Sequence, residues 1–435
     1  MKANAASLPC TRRGVGLLLA LSLAWAIWAA ATAPAVPFHP DESTYLYMSA
    51  DGATLLHAPL SLAYHPAADD LRQHYRLVNA PLTRYLVAAG LALGGQPALP
   101  ADWDWSADWQ TNLARGALPT RSQLAAARAV MTLCTALAGL LLALTACRFG
   151  GTFAGALTLL LFLLNPLVLL HGRRAMMEAP MLLGLAWLLW EITAPRPRAW
   201  RVGLALAWGL WAKYWAAALV PVALWAVWRA PAPNRRIRLR RLAWVVSLPL
   251  LIGFLLQPVL WKQPWRVLPR MAAARLEVTQ AQRAAFKAVL PAYAPDTPAQ
   301  RLGIILGQLY LAPPAYLDLG KYRAPLASAS ATYDAHPWAR WTHPPAVAAL
   351  RLLFMLLGLA AMLAWAREAT PRGHAARLCL LAAAFQWGLL LLTLPLAFQR
   401  YALAVFPWAA LWEGAGLAET LRRGAARLSA AIRKS

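Results

Sequence analysis

Apolar segments of about membrane-spanning length recur along the whole chain and constrain its fold more than any other feature. Clear examples are residues 14–33, 129–147, 152–170, 346–366 and 375–394. A helix needs ~20 predominantly apolar residues to cross a bilayer. Hydrophobic residues make up 60% of the 435-residue chain and charged residues only 14%, whereas soluble domains are roughly half apolar and a quarter charged. The sequence therefore predicts an all-α polytopic membrane protein.

The remaining apolar runs complete a prediction of about ten transmembrane helices. They occupy residues 176–192, 200–228, 242–260 and 401–418. The long run is interpreted as two short helices that meet near Lys213. A shorter run at 81–95, with Arg84 near its start, predicts an interfacial helix rather than a span.

The first apolar run allows two interpretations. It follows a charged start and ends in small residues, which is also the pattern of a cleaved signal peptide. Residues 14–33 are, however, about as long as a membrane span requires. We therefore favour an uncleaved first helix.

Short basic clusters predict the orientation of the chain. With a cytoplasmic N-terminus, each of these clusters falls on the cytoplasmic side, including residues 229–241 and 367–377. Two long segments, 37–121 and 261–345, then face outward and carry the interfacial helices. This predicts a multi-pass protein of the cell (inner or plasma) membrane with both termini cytoplasmic and an outward active site. Basic residues near the inner leaflet also attract anionic membrane lipids.

Charge and cysteine usage exclude other classes of protein. The formal net charge is +25, but the basic residues form no single tract, which disfavours nucleic acid as a partner. The four cysteines show no CxxC or Cys/His metal spacing, and none lies in the long polar segments. We infer neither a disulfide framework nor a structural zinc site.

A pair of acids, Asp41 and Glu42, follows the first apolar run. Carboxylates beside apolar surface are costly and are therefore functional candidates. Adjacent helical positions do not face each other, so the two acids should have different partners. The alternative is an ordinary helix start, with Asp41 as N-cap and Glu42 and Ser43 in the first turn.

A second polar group lies at the outer end of the third span. Residues 171–180 contain Arg173, Arg174 and Glu178. These side chains either form a simple Arg174–Glu178 pair at i,i+4 or contribute cations and a carboxylate to a site near Asp41.

Two further cations and a few rings complete the candidates. Lys213 stands in an otherwise almost uncharged stretch, and Arg400 precedes Tyr401 at the outer start of the last span. Each could be an ordinary interfacial anchor. Side chains that could contact acceptor or sugar are His39, Tyr45, Trp338 and His343. For the rings of the second outer segment, the simpler interpretation is an aromatic belt at the membrane surface.

All these groups are predicted to lie on one membrane face. They comprise a carboxylate that can accept a proton and several cations that can hold a phosphate. This combination suits transfer of a group whose leaving group is a membrane-anchored phosphate.

The order of the motifs resembles a known family. An acidic pair, an "NAPL" segment, "GRRAMMEAP" and "GLALAWGLWAKYW" follow one another over about residues 14–230, and the similarity returns at "QRYALAVFP". In this order the sequence resembles the GT-C glycosyltransferases, in particular the protein O-mannosyltransferase and aminoarabinose-transferase branch. We accordingly divide the chain into a GT-C transmembrane module, 1–230, and C-terminal transmembrane helices, 231–435.

The resemblance implies a function and roles for particular residues. Such enzymes transfer a sugar from a polyprenyl-phosphate donor on the outer face, with inversion. Asp41 matches the general base and Glu42 completes the acidic pair, while Lys213 and Arg400 look like donor-phosphate contacts. Arg173 matches the second arginine of the family and is assigned to the phosphate as well.

Other elements of the resemblance leave questions open. Glu178 stands where relatives often have Asp, and Arg174 is an additional arginine, so both are treated as supporting residues. No cofactor is certain, and a divalent cation on Asp41 and Glu178 is one option. The acceptor can be a glycolipid, a polysaccharide or a protein. Competing functions are a transporter or flippase of a lipid-linked sugar and a polysaccharide ligase or polymerase; the charges of a transporter are expected nearer the bilayer midplane.

Overall fold

The described part of the chain folds entirely into helices and connecting loops. The structure is a computed structural model and describes residues 10–67, 70–318, 320–338 and 344–432, and no strand occurs within these ranges. The first half contains α1 (Arg12–Ala31), α2 (Pro40–Met48), α3 (Ala50–His57), α4 (Leu71–Val78), α5 (Leu82–Leu93), α6 (Trp109–Ala114), α7 (Arg121–Leu163), α8 (Pro166–His171), α9 (Glu178–Ile192) and α10 (Ala199–Ala212). The second half contains α11 (Val220–Arg229), α12 (Arg235–Leu256), α13 (Pro264–Val289), α14 (Pro298–Leu306), α15 (Arg323–Ala335), α16 (Pro345–Trp365), α17 (Pro371–Thr393) and α18 (Phe406–Ile432).

Every apolar run predicted from the sequence coincides with helix. The two runs that begin at residues 129 and 152 form a single 43-residue element, α7, that is bent between them. At the bend Gly151 has φ 66° and ψ −169°, a conformation that side chains bearing a Cβ strongly disfavour. The gap between the two predicted runs, residues 148–151 ("RFGG"), therefore lies where the backbone leaves helical geometry.

The helices differ in whether they are long enough to cross a membrane. Among the described residues, five helices are long and apolar enough to cross a membrane, namely α1, α7, α12, α16 and α17. Helix α7 contributes two segments to the ten predicted, and α9, α10 and α11 have only 15, 14 and 10 residues. At 1.5 Å per residue these three are shorter than the ~30 Å apolar core of a bilayer. The chain is a multi-pass membrane protein, and ten spans remain a prediction.

Helix breaks create the positions where polar side chains collect. Helix α10 ends at Ala212, the next residue, Lys213, has extended backbone, and a 3₁₀ helix (Tyr214–Leu219) leads into α11. The sequence-based prediction of two short helices meeting near Lys213 is thus confirmed. Helix α7 stops before Asn165, whose side chain caps the short α8.

A buried ionic cluster ties the first outer segment to the end of α12. Arg76 donates to both carboxylate oxygens of Asp51, at 2.9 and 3.1 Å. Arg84, fully buried in α5, donates to the Gln257 side chain at 2.6 Å. Charged groups removed from water require such partners. The cluster therefore holds α4 and α5 against the C-terminal end of α12.

Glycines allow the last helix to approach its neighbour closely. A Cβ added to Gly358 in α16 would lie 1.7 Å from the Trp412 carbonyl oxygen, and one at Gly416 in α18 would lie 2.3 Å from that of Phe354. Small residues permit this backbone-to-backbone packing of helices within a membrane. The contact fixes α18 and, with it, the loop that carries Arg400.

Candidate active site

One large cavity, here called the site cavity, opens where the outer segments meet the helix breaks. Its volume is about 470 Å³. The charged side chains that line it are Asp41, Glu178, Lys213, Arg275 and Arg400. Aromatic and imidazole side chains complete much of the wall: Tyr45, His74, Tyr75, Trp105, Tyr214, Trp215 and Tyr401. Segments far apart in sequence thus converge on a single chamber whose wall combines charged, aromatic and aliphatic groups.

Asp41 projects into this cavity from the first turn of α2. Its side chain is 27% exposed, and its carboxylate lies 2.9 Å from Nη2 of Arg400. The N-cap of α2 is His39 rather than Asp41, because the His39 ring accepts the Asp41 backbone N–H. The alternative interpretation of Asp41 as a helix cap is therefore wrong, and its carboxylate is available to the cavity.

A second carboxylate, Asp318, supports Arg400 from behind. It forms an ion pair with Nη1 of Arg400 and lies 3.2 Å from Nε2 of His39. Burial alone would raise the pKa of Asp318, but the attraction of Arg400 and the hydrogen bond from His39 lower it below its usual range. Asp318 therefore stays ionised and holds Arg400 against Asp41.

The tautomer of His39 follows from its contacts. Its Nδ1 accepts the backbone N–H of Asp41 at 3.1 Å, so a neutral ring carries its proton on Nε2. That proton points to Asp318, and the 3.1 Å approach of Arg400 Nη1 to Nε2 is then a contact rather than a hydrogen bond. His39 thereby orients the Asp41 backbone and Asp318 together, and it does not line the cavity.

Lys213 and Glu178 form a buried pair on another wall. Lys213 Nζ donates to Glu178 Oε1 at 2.8 Å and lies 4.4 Å from the centre of the Trp215 ring and 5.0 Å from that of Tyr401. The sequence-based alternative of an Arg174–Glu178 pair is wrong, since the partner of Glu178 is Lys213. The ammonium group has three N–H donors, and Glu178 takes one of them.

Arg275 is a cation of the cavity that the sequence analysis missed. It lies on α13, which packs against α4, and its side chain is exposed along the cavity wall. Within the described part of the chain, no carboxylate forms an ion pair with it. The cavity therefore contains a cation free to meet an anionic ligand.

Glu42 points away from the cavity into a fully buried network. Arg128 of α7 donates Nε to Glu42 Oε1 at 2.7 Å and Nη2 to Oε2 at 2.6 Å. The same carboxylate accepts the backbone N–H groups of His39 and Ala175. Burial acts to raise the pKa of Glu42, but the charge and hydrogen bonds of Arg128 outweigh it and lower the pKa. Glu42 therefore positions α2, and Asp41 with it.

The two arginines of "GRRAMMEAP" also lie outside the cavity lining. Arg173 donates to Thr32 Oγ1 at 2.9 Å and to the Leu169 carbonyl oxygen. Arg174 donates to the carbonyl oxygens of Pro37 and Tyr316, at 3.0 and 2.8 Å. Both are fully buried. They fasten the turn to both outer segments, and of the three predicted phosphate contacts only Lys213 and Arg400 line the cavity.

Of the side chains predicted to contact sugar or acceptor, some line the site cavity and others do not. Tyr45 lines the cavity, and burial, followed by the charges of Glu178 and Asp41, raises its pKa, so the phenol remains a hydrogen-bond donor. Trp338 instead stacks on His336 and meets Trp28 edge-on, with ring centres 4.0 and 5.2 Å apart. His343 lies outside the described residues.

A divalent cation does not fit the donor set around Asp41 and Glu178. Such ions take six or more oxygen ligands, with at least one or two free carboxylates among them. Asp41 lies against Arg400 and Glu178 against Lys213. The described residues also contain no group of three His, Cys, Asp or Glu side chains that could hold a metal.

Replacing Arg128 by Met is expected to destabilise the protein by about 3–5 kcal/mol, because Glu42 would keep a buried charge without its partner. Thermal unfolding of the purified protein measures the effect. The double variant Arg128→Met/Glu42→Gln should recover part of the loss, since its buried group is neutral. Equal stability of Arg128→Met and wild type would contradict the role assigned to this pair.

Comparisons with known proteins agree with this architecture. The sequence model of the family "Dolichyl-phosphate-mannose-protein mannosyltransferase" matches residues 71–263. No curated protein sequence matches the chain. Among solved structures, the apo oligosaccharyltransferase of Archaeoglobus fulgidus is similar with a TM-score of 0.50 and 12% identity, over 94% of this chain and 52% of that one. Its complex with Zn and sulfate gives 0.50 and 12%, over 95% and 50%.

A third similarity is to the S. cerevisiae protein O-mannosyltransferase Pmt1-Pmt2 complex bound to the sugar donor. It has a TM-score of 0.41 and 16% identity, and it covers 60% of this chain and 35% of that one. This chain thus spans about half the length, or less, of the structures it matches. The match to the family model bears out the predicted protein O-mannosyltransferase-like resemblance over residues 71–263, and the similarity to the two archaeal structures bears out the predicted all-α fold.

Proposed function

We propose that this chain transfers a sugar from a polyprenyl-phosphate-linked donor to a hydroxyl-bearing acceptor at the outer face of the membrane. One observation carries the proposal. The site cavity brings a partly exposed carboxylate, Asp41, together with the cations Lys213, Arg275 and Arg400. A proton acceptor beside a cationic wall is what displacement of a phosphate by a hydroxyl group requires.

The cations supply the binding site for the donor phosphate. Arg275 forms no ion pair with any described residue, and Lys213 keeps two N–H donors beyond the one that Glu178 accepts. Arg400 is held by Asp318 on one side and presents its other edge towards Asp41 and the cavity. As the bond to the sugar breaks, negative charge grows on the phosphate, and these fixed donors stabilise it.

Asp41 is the base in the proposed reaction. It takes the proton of the acceptor hydroxyl group while the hydroxyl oxygen forms a bond to the anomeric carbon of the sugar. The bond from that carbon to the phosphate oxygen breaks, and its electron pair leaves with the polyprenyl phosphate. Attack from the face opposite the leaving group inverts the anomeric configuration. The products are the glycosylated acceptor, polyprenyl phosphate and protonated Asp41.

Aromatic rings give the cavity surfaces for the sugar itself. Tyr75, Trp105 and Trp215 line the cavity around its charged groups. Apolar ring faces pack against the C–H faces of sugars, and the Tyr45 hydroxyl group offers a donor to their oxygens. These contacts leave both hexose and pentose donors open.

The test compares donor classes in membranes that contain the protein. Radiolabelled sugar is supplied on a polyprenyl monophosphate, on a polyprenyl diphosphate or as a nucleotide sugar, with membranes lacking the protein as control. We expect protein-dependent transfer from the monophosphate. Movement of the labelled donor across the membrane without its conversion would overturn the proposal in favour of a transporter, and growth of a glycan from the diphosphate alone would favour a polymerase or ligase.

A further inference from the structure

A second cavity, here called the basic cavity, lies between α11 and α17. Its volume is about 220 Å³. Six side chains line it: Trp225, Arg229, His374, Arg377, Leu378 and Leu381. None of them belongs to the site cavity, so the proposed transfer reaction leaves this feature unexplained.

The two cavities lie at opposite ends of the same elements. On α17, Arg377 lines the basic cavity and Leu389 lines the site cavity, 12 residues further on. At 1.5 Å per residue this separates them by about 18 Å along the helix. The chain from the 3₁₀ helix into α11 repeats the pattern, with Trp215 at the site cavity and Arg229 at the basic cavity. The basic cavity therefore lies towards the end of these elements that is remote from the site cavity.

The lining of the basic cavity is cationic, and no carboxylate is among the described residues that form it. Arg377 uses Nη1 to donate to the carbonyl oxygens of Ala366 and Glu368, at 2.7 and 3.1 Å, which fixes the direction of its guanidinium group. The Glu368 carboxylate is bound by Arg372. Arg229 lies over the Trp225 ring, 5.5 Å from its centre. The positive charge of the two arginines is thus not neutralised by an acid within the cavity.

The apolar part of the lining adds a second requirement on the ligand. Leu378 and Leu381 are one helical turn apart on α17, and the 49% exposed ring of Trp225 stands opposite on α11. A free anion would gain nothing from these groups, whereas a lipid places its acyl chain beside them. Basic pockets between membrane helices bind anionic lipid headgroups in this manner.

We propose that the basic cavity binds an anionic phospholipid, with its headgroup phosphate against Arg229 and Arg377 and its acyl chain along Leu378, Leu381 and Trp225. His374 supplies a further donor to the phosphate oxygens. The bound lipid joins α11 to α17. Helix α17 lines the site cavity near its other end, and α11 continues the 3₁₀ helix that lines the same cavity.

The experiment measures lipid binding to the purified full chain in phosphatidylcholine bilayers. Phosphatidylglycerol is titrated in, and the lipid retained by the protein is counted by native mass spectrometry. We expect saturable retention of phosphatidylglycerol over phosphatidylcholine. Arg229→Gln should weaken it about five-fold, in line with the contribution of one arginine near an anionic surface. Arg236→Gln removes the same charge from the exposed first turn of α12, outside the lining of the basic cavity, and should leave retention unchanged.

Further variants of the cavity lining, and inorganic phosphate as a second ligand, distinguish lipid binding from misfolding and from binding of a free anion. Because Arg377 also holds helix-end carbonyls, Arg377→Gln could fail to fold, and Arg229→Gln and His374→Gln keep the test decisive. Equal retention of both lipids, or equal losses in Arg229→Gln and Arg236→Gln, would overturn the proposal. Inorganic phosphate is the remaining arm: if it raises the melting temperature while phosphatidylglycerol does not, the cavity binds a free anion and the lipid assignment is wrong. Each result stands apart from any assay of sugar transfer.

Discussion

Asp41→Asn is expected to lower the rate of sugar transfer by roughly 100- to 10,000-fold, the usual contribution of a general base. Asparagine has the shape of aspartate but cannot accept the proton of the acceptor hydroxyl group. The loss should appear in kcat, because the phosphate contacts of the donor are unchanged. Transfer from a radiolabelled polyprenyl-phosphate sugar, followed at saturating donor, measures it.

Two features of the structure make this variant informative. Arg400 keeps its ion pair with Asp318 when Asp41 is neutral, so the fold around the cavity has no new unpaired charge. Asp104→Asn is the matched control. Asp104 lies in the same segment, 37–121, but does not line the site cavity, and its carboxylate lies 2.8 Å from Nη1 of Arg115. The control should retain full transfer. Full activity of Asp41→Asn would remove Asp41 from the role of base.

Lys213→Met is expected to reduce kcat/KM by about 100- to 1,000-fold, the range seen when one electrostatic donor to a transition state is removed. The ammonium group is buried beside Glu178, and phosphate bound there would be screened little by water. KM should rise, because Lys213 binds the donor phosphate before the reaction, and kcat should fall, because the phosphate gains negative charge during it. Steady-state kinetics over a range of donor concentrations separate the two.

Lys213→Met alone also leaves Glu178 as a buried carboxylate without a partner, which is itself destabilising. The double variant Lys213→Met/Glu178→Gln removes that charge and should recover thermal stability while transfer stays low. Recovery of transfer together with stability would show that Lys213 serves the fold and not the phosphate. Lys213→Arg keeps the charge and should lose less activity than Lys213→Met.

Much of the fold follows from periodic apolar segments, and the reasons are local. Each predicted run is a helix, because a chain in a bilayer must satisfy its backbone hydrogen bonds within each segment. The bend of α7 was readable from Gly150 and Gly151, and the break at Lys213 from a charge in an apolar run. The number of membrane spans was harder to predict from the sequence, because packing rather than composition determines where short helices such as α11 begin and end.

The site was predictable only where a polar side chain interrupts apolar sequence. Asp41, Lys213 and Arg400 carried that signal, and all three line the site cavity. Asp318 and Arg275 did not, because they lie in a polar outer segment where acids and bases are ordinary. Their positions depend on how that segment folds back over the helices, which no local pattern encodes.

Buried charge by itself could not distinguish function from support. Glu42, Arg173 and Arg174 interrupt apolar sequence as visibly as Lys213 does, yet none of them lines the site cavity. Glu42 binds Arg128, and the two arginines donate to carbonyl and hydroxyl oxygens. Arg128, the partner of Glu42, was visible as a charge at the start of a span but gave no hint of which acid it meets, 86 residues away. The sequence indicates that a charged side chain is buried, but only the three-dimensional structure shows which partner offsets the free energy of its desolvation.

The most direct test of the account is a structure of the protein with a bound polyprenyl-phosphate sugar. We expect the phosphate oxygens within about 3 Å of Lys213, Arg275 and Arg400. The Asp41 carboxylate should stand on the face of the anomeric carbon opposite the phosphate, with room for an acceptor hydroxyl group between them. A phosphate bound away from these cations, or Asp41 on the same face as the leaving group, would contradict the proposed function.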